Sequence, residues 1–131
     1  MMLLPSTAIA AGVANQLGAA IPLRRTVRHL VVEATFAYGA GGTTVKAWVQ
    51  TRVVGATWRD IMCFAFTTAA AKKWLAVSAL SITAAVAASD AALADDTAVA
   101  GLLGDEIRVK YTTTGTYTGA TTLTVVGQVK E

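Results

Sequence analysis

Charged side chains are scarce in this sequence of 131 residues, which is 54% hydrophobic but only 15% charged. Soluble domains typically carry about 25% charged residues. So few charges predict that other chains cover part of the surface. The chain also has a single cysteine, Cys63, which excludes an intrachain disulfide, and a single histidine, His29.

The N-terminal segment carries no charge at all before residue 24. A secretory signal needs a basic segment followed by an unbroken apolar stretch. Nothing basic precedes the apolar part here, and it is interrupted by Pro5, Gly12, Asn15, Gln16 and Gly18. We expect residues 1–23 to form an extended arm or first strand that packs on a neighbouring subunit. Residues 24–131 then form one domain.

The sequence does not indicate a nucleic-acid or a membrane partner. Its formal net charge is only +3 and no dense run of lysine and arginine occurs, whereas nucleic-acid binding is typical of clustered positive charge. No window of about 20 residues is continuously apolar enough to span a membrane. We therefore expect contacts with proteins.

Apolar residues alternate with other residues along most of the chain, which is the pattern of half-buried strands. The predicted strands cover residues 26–38, 43–52, 57–67, 72–83, 105–113 and 121–130, of which 72–83 is the weakest. Without a long 3.6-residue pattern, the fold is predicted to be all-β, an antiparallel β-sandwich of jelly-roll or Ig-like type with an extended N-terminal arm. The predicted core residues are Leu30, Val32, Phe36, Val45, Val49, Ile107, Val109, Leu123 and Val125.

Two segments depart from simple alternation. Residues 58–66 are apolar on both faces, so their strand is expected to be central or covered on both sides. Residues 84–104 form an alanine-rich connection. A short helix is predicted within it, over residues 89–93, with Ser89 as its N-cap.

Nucleophilic catalysis needs a nucleophile, a base within reach and a group that orients the base. His29 lies in the middle of a predicted strand, where a surface or interface role explains it better than catalysis. Cys63 lies in an apolar run and is interpreted as a small core residue. We therefore predict no catalytic residue and no enzymatic activity.

Metal and phosphate sites are not predicted either. Asp95 and Asp96 could hold a weakly bound hard cation together with Asp90, but a solvated acidic turn is the better interpretation. Residues 39–42 are rich in glycine, yet they lie between two predicted strands and fit a hairpin turn rather than a phosphate cradle. No cofactor is expected.

Trp48 stands between Lys46 and Arg52 on the polar side of its strand. The long connection could cover it, it could anchor a protein interface, or it could stack on a sugar or a base. The hypothesis we carry forward is an interface in which arginines pair with acidic loops of the partner. Its candidate residues are Trp48, Arg24, Arg25 and Arg28.

The segment Thr51-Arg52-Val53-Val54-Gly55-Ala56-Thr57-Trp58 resembles a degenerate form of the Asp-box hairpin of sialidases and related proteins. That motif is structural and has the pattern Ser/Thr-x-Asp-x-Gly-x-Thr-Trp. Val53 occupies its acidic position here, so the side-chain bonds of that turn are lost. The resemblance implies a hairpin with a tucked Trp58 and no glycosidase activity.

A larger part of the chain resembles the small β-sandwich proteins of tailed-phage and prophage virion gene clusters. The matching segments are Gly18-Ala19-Ala20-Ile21, residues 26–36, Val49-Gln50-Thr51, residues 55–61, Ala92-Leu93-Ala94-Asp95 and residues 103–111. The resemblance implies a virion component, assembled in the host cytoplasm, that acts as a capsid cement or decoration subunit. Its implied partners are the major capsid protein or other virion proteins, and further copies of itself in a homo-oligomer. A neck or tail component is the alternative, and a carbohydrate-binding module is the third possibility.

Overall fold

The protein is an all-β chain in a computed structural model that describes residues 2–3, 7–8, 16–24, 26–53, 55–78, 85, 87–99 and 103–130. These residues form strands, turns and irregular segments and contain no helix. Accordingly, no helix long and apolar enough to cross a membrane is found among them. The described strands are β1 (Met2–Leu3), β2 (Thr7–Ala8), β3 (Gln16–Leu17), β4 (Ile21–Pro22), β5 (His29–Ala37), β6 (Ala40–Gly41), β7 (Thr44–Arg52), β8 (Arg59–Phe66), β9 (Ala71–Ser78), β10 (Thr97–Ala98), β11 (Glu106–Thr114), β12 (Tyr117–Thr118) and β13 (Thr122–Lys130).

Two antiparallel sheets pack face to face, which confirms the predicted β-sandwich. The first sheet has the strand order β1-β13-β5-β9, with β2 also paired to β13. The second sheet has the order β10-β8-β7-β11-β3, with β4 also paired to β11. A short third ladder joins β12 to β6. Strand β9 ends at Ser78, and the rest of the predicted strand over 72–83 lies outside the described residues.

The core lies between the inner faces of the two sheets. Strict alternation places every second residue of β5, β11 and β13 inside. All nine predicted core residues are buried, and each is at most 1% exposed. The ring of Phe36 stacks on Phe66 at 5.1 Å and meets Tyr117 edge-on at 5.7 Å. Burying a large apolar side chain fully contributes about 1.5–3 kcal/mol, so these residues dominate the folding free energy.

The predicted turn at residues 39–42 interlocks with the turn between β11 and β13 at one end of the sandwich. Strands β6 and β12 pair there, and a Cβ atom on Gly39 would lie 2.0 Å from the carbonyl oxygen of Gly119. Only a residue without a side chain fits this contact. The buried Tyr117 hydroxyl donates to the carbonyl of Thr67 at 2.7 Å and ties the turn to the second sheet.

Strand β8 lies between β10 and β7 and is covered on both faces, as its apolar pattern predicts. Its pairing with β7 shifts register, because Val49 faces Met62 while the next residue, Gln50, faces Asp60. Ile61 is the extra residue of this β-bulge. A bulge changes the side from which the following residues project, and here it puts Asp60 on the outer face beside Gln50 instead of in the core.

The described pieces of the N-terminal segment pair with their own chain. Strands β1 and β2 add to β13 in the first sheet, whereas β3 and β4 add to β11 in the second. The prediction of an extended segment fits these short ladders. Edge strands offer unpaired backbone groups, and the described pieces satisfy some of them within the chain. That the segment also packs on a neighbouring subunit stays a prediction.

Candidate protein-interaction surface

The two outer faces of the sandwich differ in what covers them. Residues 87–99 cross the outer face of the second sheet, and strand β10 within them pairs with β8. Trp48 lies beneath this connection, only 5% exposed, and its indole Nε1 donates to the carbonyl of Leu93 at 3.3 Å. Of the three interpretations of Trp48, the structure agrees with the first, a tryptophan covered by the long connection. The expectation of an exposed anchor at Trp48 is wrong, because the chain itself occupies the space above the ring.

The buried carboxylate of Asp60 fixes residues 89–93 of the connection to the outer face of the second sheet. Asp60 is 2% exposed and accepts five hydrogen bonds, all between 2.8 and 3.1 Å. The donors are Gln50 Nε2, Ser89 Oγ and the backbone N–H groups of Ala91, Ala92 and Leu93. Hydrogen bonds to an ionised acceptor are stronger than those between neutral groups, so this cluster fixes the path of the connection across the sheet.

The helix predicted over residues 89–93 is absent from the structure. Ser89 donates its hydroxyl to Asp60 instead of capping a helix, and the backbone N–H groups that a helix would direct along its axis converge on the same carboxylate. Ala91 has a left-handed backbone with a φ of 55°. The tertiary acceptor supplied by β8 therefore replaces local helical hydrogen bonds.

The polar network extends from Asp60 along the outer face of the second sheet. Gln50 donates to Asp60 and to Asp90, both at 2.8 Å, and accepts from Arg108 Nε at 2.9 Å. Lys110 Nζ also contacts Asp90 at 3.0 Å. The hydrogen bond from Gln50 and then that from Lys110 lower the pKa of Asp90 below its ordinary 3.8. Gln50, Asp60, Asp90, Arg108 and Lys110 thus all have polar partners within the chain.

The acidic residues of the connection pair with lysines. Asp95 contacts Lys46 at 2.8 Å and Asp96 contacts Lys73 at 2.8 Å. In the described ranges, no three histidine, cysteine, aspartate or glutamate side chains come together as metal ligands would. The carboxylates considered for a cation therefore lie in separate ion pairs.

Cys63 lies in β8 under the same cover and is fully buried. Burial, with a smaller contribution from the charge of Asp95, raises the pKa of its thiol from 9.0 to about 11. The nucleophilic form of cysteine is the thiolate. This side chain is therefore a packed thiol at neutral pH.

The half-buried Trp58 lies between two guanidinium groups on the outer face of the second sheet. Arg52 and Arg108 lie 4.7 and 4.3 Å from the centre of its ring. The residue follows the turn between β7 and β8, which is the hairpin expected from the Asp-box resemblance. Cation–π contacts of this kind fix both arginines in place.

Within the described ranges, no segment crosses the outer face of the first sheet. We call it the Trp74 face; it consists of residues 29, 31, 33 and 35 of β5, residues 72, 74, 76 and 78 of β9 and residues 124, 126, 128 and 130 of β13. Trp74 is 67% exposed and stands directly opposite Glu33 in the ladder. Val31, Glu33, Trp74, Val126 and Gln128 line a shallow hollow of about 260 Å³ beside it.

Trp74 is held in a defined position despite its exposure. Its indole Nε1 donates to Glu33 Oε2, and Lys72 lies 3.8 Å from the other oxygen of that carboxylate. An aromatic side chain that is already oriented loses little conformational entropy when it is covered. Together with the half-buried Val31 and Val126, Trp74 forms an apolar strip across three strands.

The arginines predicted for an interface have different outcomes. Arg24 and Arg28 are exposed, and Arg28 adjoins Lys130 because its backbone N–H donates to the Lys130 carbonyl at 2.9 Å. Arg25 lies outside the described residues. His29 is half-buried on the Trp74 face opposite Lys130. The structure thus brings Arg28 and His29 to one end of the Trp74 face and leaves Trp48 on the other side of the sandwich.

Trp74 was not among the predicted interface residues, although its position in the alternating pattern of β9 is a signal of outward orientation. Alternation in β9 puts Leu75 and Val77 on the inner side and Trp74 on the outer side. Lys73 obscured this pattern because it shares the inner side with them. The ammonium group of Lys73 lies 4.9 Å from the Phe66 ring centre and donates to the Ala65 carbonyl. The charged end of Lys73 is therefore placed at the edge of the sheet and not in the core.

Comparisons of the chain with protein-family models, with curated proteins and with solved structures gave no match.

Proposed function

We propose that this protein is a structural subunit of a tailed-phage particle that binds the capsid as a cement or decoration protein through its Trp74 face. The observation that carries the proposal is the exposure of Trp74. The chain covers the outer face of its second sheet with residues 87–99, yet a tryptophan at 67% exposure stands on the first sheet. Aromatic residues of this kind are enriched where proteins meet.

The free energy available from this face favours a particle over a single partner. A tryptophan can bury about 150–250 Å², so covering the exposed two-thirds of Trp74 contributes about 2.5–4 kcal/mol at roughly 25 cal/mol per Å². Association itself costs about 4–15 kcal/mol in lost freedom of motion. One contact is therefore weak, whereas a subunit that touches two or more capsid proteins gains by multivalency.

The resemblance to virion proteins and the low charge of the chain support the same proposal. In it the protein has no catalytic activity and takes its place on the particle in the host cytoplasm. Further copies are arranged by the symmetry of the capsid. The major capsid protein is the proposed partner.

Two alternatives use the same face differently. A neck or tail component would cover Trp74 at a position that occurs a few times per particle. A carbohydrate-binding module is favoured by one specific feature, because the exposed indole stands beside the carboxylate of Glu33 and the amide of Gln128. Sugars stack on such rings and hydrogen-bond to such neighbours.

A matched pair of tryptophan variants tests the proposal. Particles made without this chain are incubated with the purified protein, and bound copies are counted by quantitative mass spectrometry. We expect Trp74→Ala to lower the affinity by about 30-fold or more, as for an interface hot spot, while its unfolding midpoint stays close to that of the wild type. Trp48→Ala should mainly lower the unfolding midpoint, since it opens a cavity under residues 87–99.

Three results would contradict the proposal. A handful of copies per particle, all at the neck or tail, would favour the first alternative. Loss of glycan binding, rather than of particle binding, in Trp74→Ala would favour the second. Wild-type particle binding by Trp74→Ala would exclude the Trp74 face as the contact.

A further inference from the structure

The net positive charge of the chain belongs to residues outside the second sheet. The acidic residues of the second sheet and of the segments that cover or join it are Asp60, Asp90, Asp95, Asp96, Asp105 and Glu106. The basic residues that lie in this sheet or reach it are Lys46, Arg52, Arg59, Lys73, Arg108 and Lys110. Six charges of each sign give a net charge of zero.

The whole net charge of +3 therefore belongs to the rest of the chain. Its five basic residues are Arg24, Arg25, Arg28, Lys72 and Lys130, and its two acidic residues are Glu33 and Glu131. Arg25 and Glu131 lie outside the described residues and carry opposite charges. The described remainder is four exposed cations and one carboxylate, and that carboxylate already contacts Trp74 and Lys72.

Three of these cations, Arg28, Lys72 and Lys130, lie at the two ends of the apolar strip. Lys130 pairs with His29 at one end of β5, where Arg28 is its neighbour, and Lys72 pairs with Thr35 towards the other end. The two positions, 29 and 35, are six residue steps apart along β5, which corresponds to about 20 Å of strand. An apolar centre with charged groups at its margin is the usual anatomy of a protein interface.

We infer that the Trp74 face binds a protein surface whose apolar centre is flanked by carboxylates about 20 Å apart. The inference rests on the proposed function and adds the chemistry of the partner. A second copy of this chain is a poor occupant, because stacking the face on itself brings cations together while its one described carboxylate is occupied. Nucleic acid is also a poor occupant, because phosphates would meet apolar side chains and Glu33 between the two cationic ends.

A pair of charge variants with equal net charge tests the inference. Lys72→Gln with Lys130→Gln removes two cations from the Trp74 face. Thr57→Glu with Thr116→Glu lowers the net charge equally but at exposed turns elsewhere. Binding to particles made without this chain is measured from low to high sodium chloride concentration.

We expect wild-type binding to weaken as salt rises, because exposed charge pairs are screened. The lysine variant should bind about tenfold more weakly at low salt and depend less on salt, as is usual for charges at an interface margin. The threonine variant should stay within about twofold of the wild type. Equal binding of the two variants, or wild-type binding that is independent of salt, would overturn the inference but leave the proposed function standing.

A second measurement uses the purified protein and does not depend on particles. Three probes are added in turn: a peptide that alternates glutamate with leucine, the same peptide with lysine for glutamate, and double-stranded DNA. We expect backbone-amide NMR shifts in β5, β9 and β13 with the glutamate peptide alone. Shifts of equal size with the lysine peptide, or larger ones with DNA, would refute the inferred partner chemistry, whereas a wild-type chain that does not bind particles would instead refute the proposed function.

Discussion

Asp60 organises the covered face of the protein, so its replacement by asparagine is the most informative test of the fold. The variant keeps the size of the side chain but exchanges one acceptor oxygen for an NH2 group. All five partners of the carboxylate are donors. Whichever way the amide is placed, at least two of the five donors then face another donor.

The expected loss of stability in Asp60→Asn follows from the number of donors left without an acceptor. A donor left unsatisfied in a buried site costs about 1–3 kcal/mol, and removing one side of a buried charged network costs about 3–5 kcal/mol. We expect Asp60→Asn to lower the free energy of unfolding by about 3–5 kcal/mol, a large part of the 5–15 kcal/mol of a typical domain. The loss should be local at first, because four of the five donors to the Asp60 carboxylate belong to residues 89–93.

Urea unfolding in a background with Trp58→Phe and Trp74→Phe measures both the lower free energy of unfolding and the local release of residues 89–93. Trp48 is then the only tryptophan of the chain and reports on the connection above it. Its fluorescence should shift towards that of a hydrated indole at a lower urea concentration than the loss of β-sheet circular dichroism. Asp90→Asn in the same background is the control, because the Asp90 carboxylate is 58% exposed and its loss should cost below about 1 kcal/mol. A cost for Asp60→Asn as small as that of the control would refute the view that this carboxylate anchors the connection.

Three further predictions concern the core, the interlocked turns and the thiol. Phe36→Ala should lower the free energy of unfolding by about 3–5 kcal/mol, and a change below 1 kcal/mol in urea titration would contradict its central place between two aromatic rings. Gly39→Ala should lower the free energy of unfolding by about 2 kcal/mol or more, because the new Cβ would lie 2.0 Å from the Gly119 carbonyl oxygen and the backbone must shift. Gly55→Ala is the control, since a Cβ there has no atom within 4 Å. Thermal unfolding should show a smaller loss of stability for this control, from the positive φ of Gly55 alone. The thiol pKa of Cys63 is raised from 9.0 to about 11, so the contribution of this thiol to stability is complete below pH 9 and is lost as the pH rises through 11. A thiol reagent at pH 8 should modify Cys63 only after denaturation. Rapid labelling of the folded protein would contradict the burial of Cys63 under residues 87–99.

The inner half of the structure was predictable because it depends on a local pattern. Alternation along β5, β11 and β13 predicts which side chains face inwards, and each predicted core residue is buried. This works because a strand has a period of two and one buried face. The same rule separated the polar side chains of β7, such as Gln50 and Arg52, from its apolar ones.

The outer faces were not predictable in the same way, because what covers them is distant in sequence. Trp48 is covered near Leu93, 45 residues further along, and no local pattern contains that information. The helix predicted over residues 89–93 was wrong because the backbone there is ordered by Asp60, which lies in another strand. A bulge at Ile61 turns Asp60 outwards, and neither composition nor alternation predicts an inserted residue.

The contrast between Trp48 and Trp74 follows from the topology of the chain. Residues 87–99, in the connection from β9 to β11, cross the outer face of the second sheet, and their backbone hydrogen-bonds to Trp48 and Asp60 of that face. Among the described residues no segment crosses the first sheet in the same way, so its outer side chains meet solvent. A tryptophan covered by its own chain contributes to folding, whereas one held in the open by Glu33 contributes to stability only when a second molecule covers it. Because the covered face depends on five converging donors, substitutions at Asp60 should damage folding, while substitutions at Trp74 should leave folding intact and change the partner that the chain can hold.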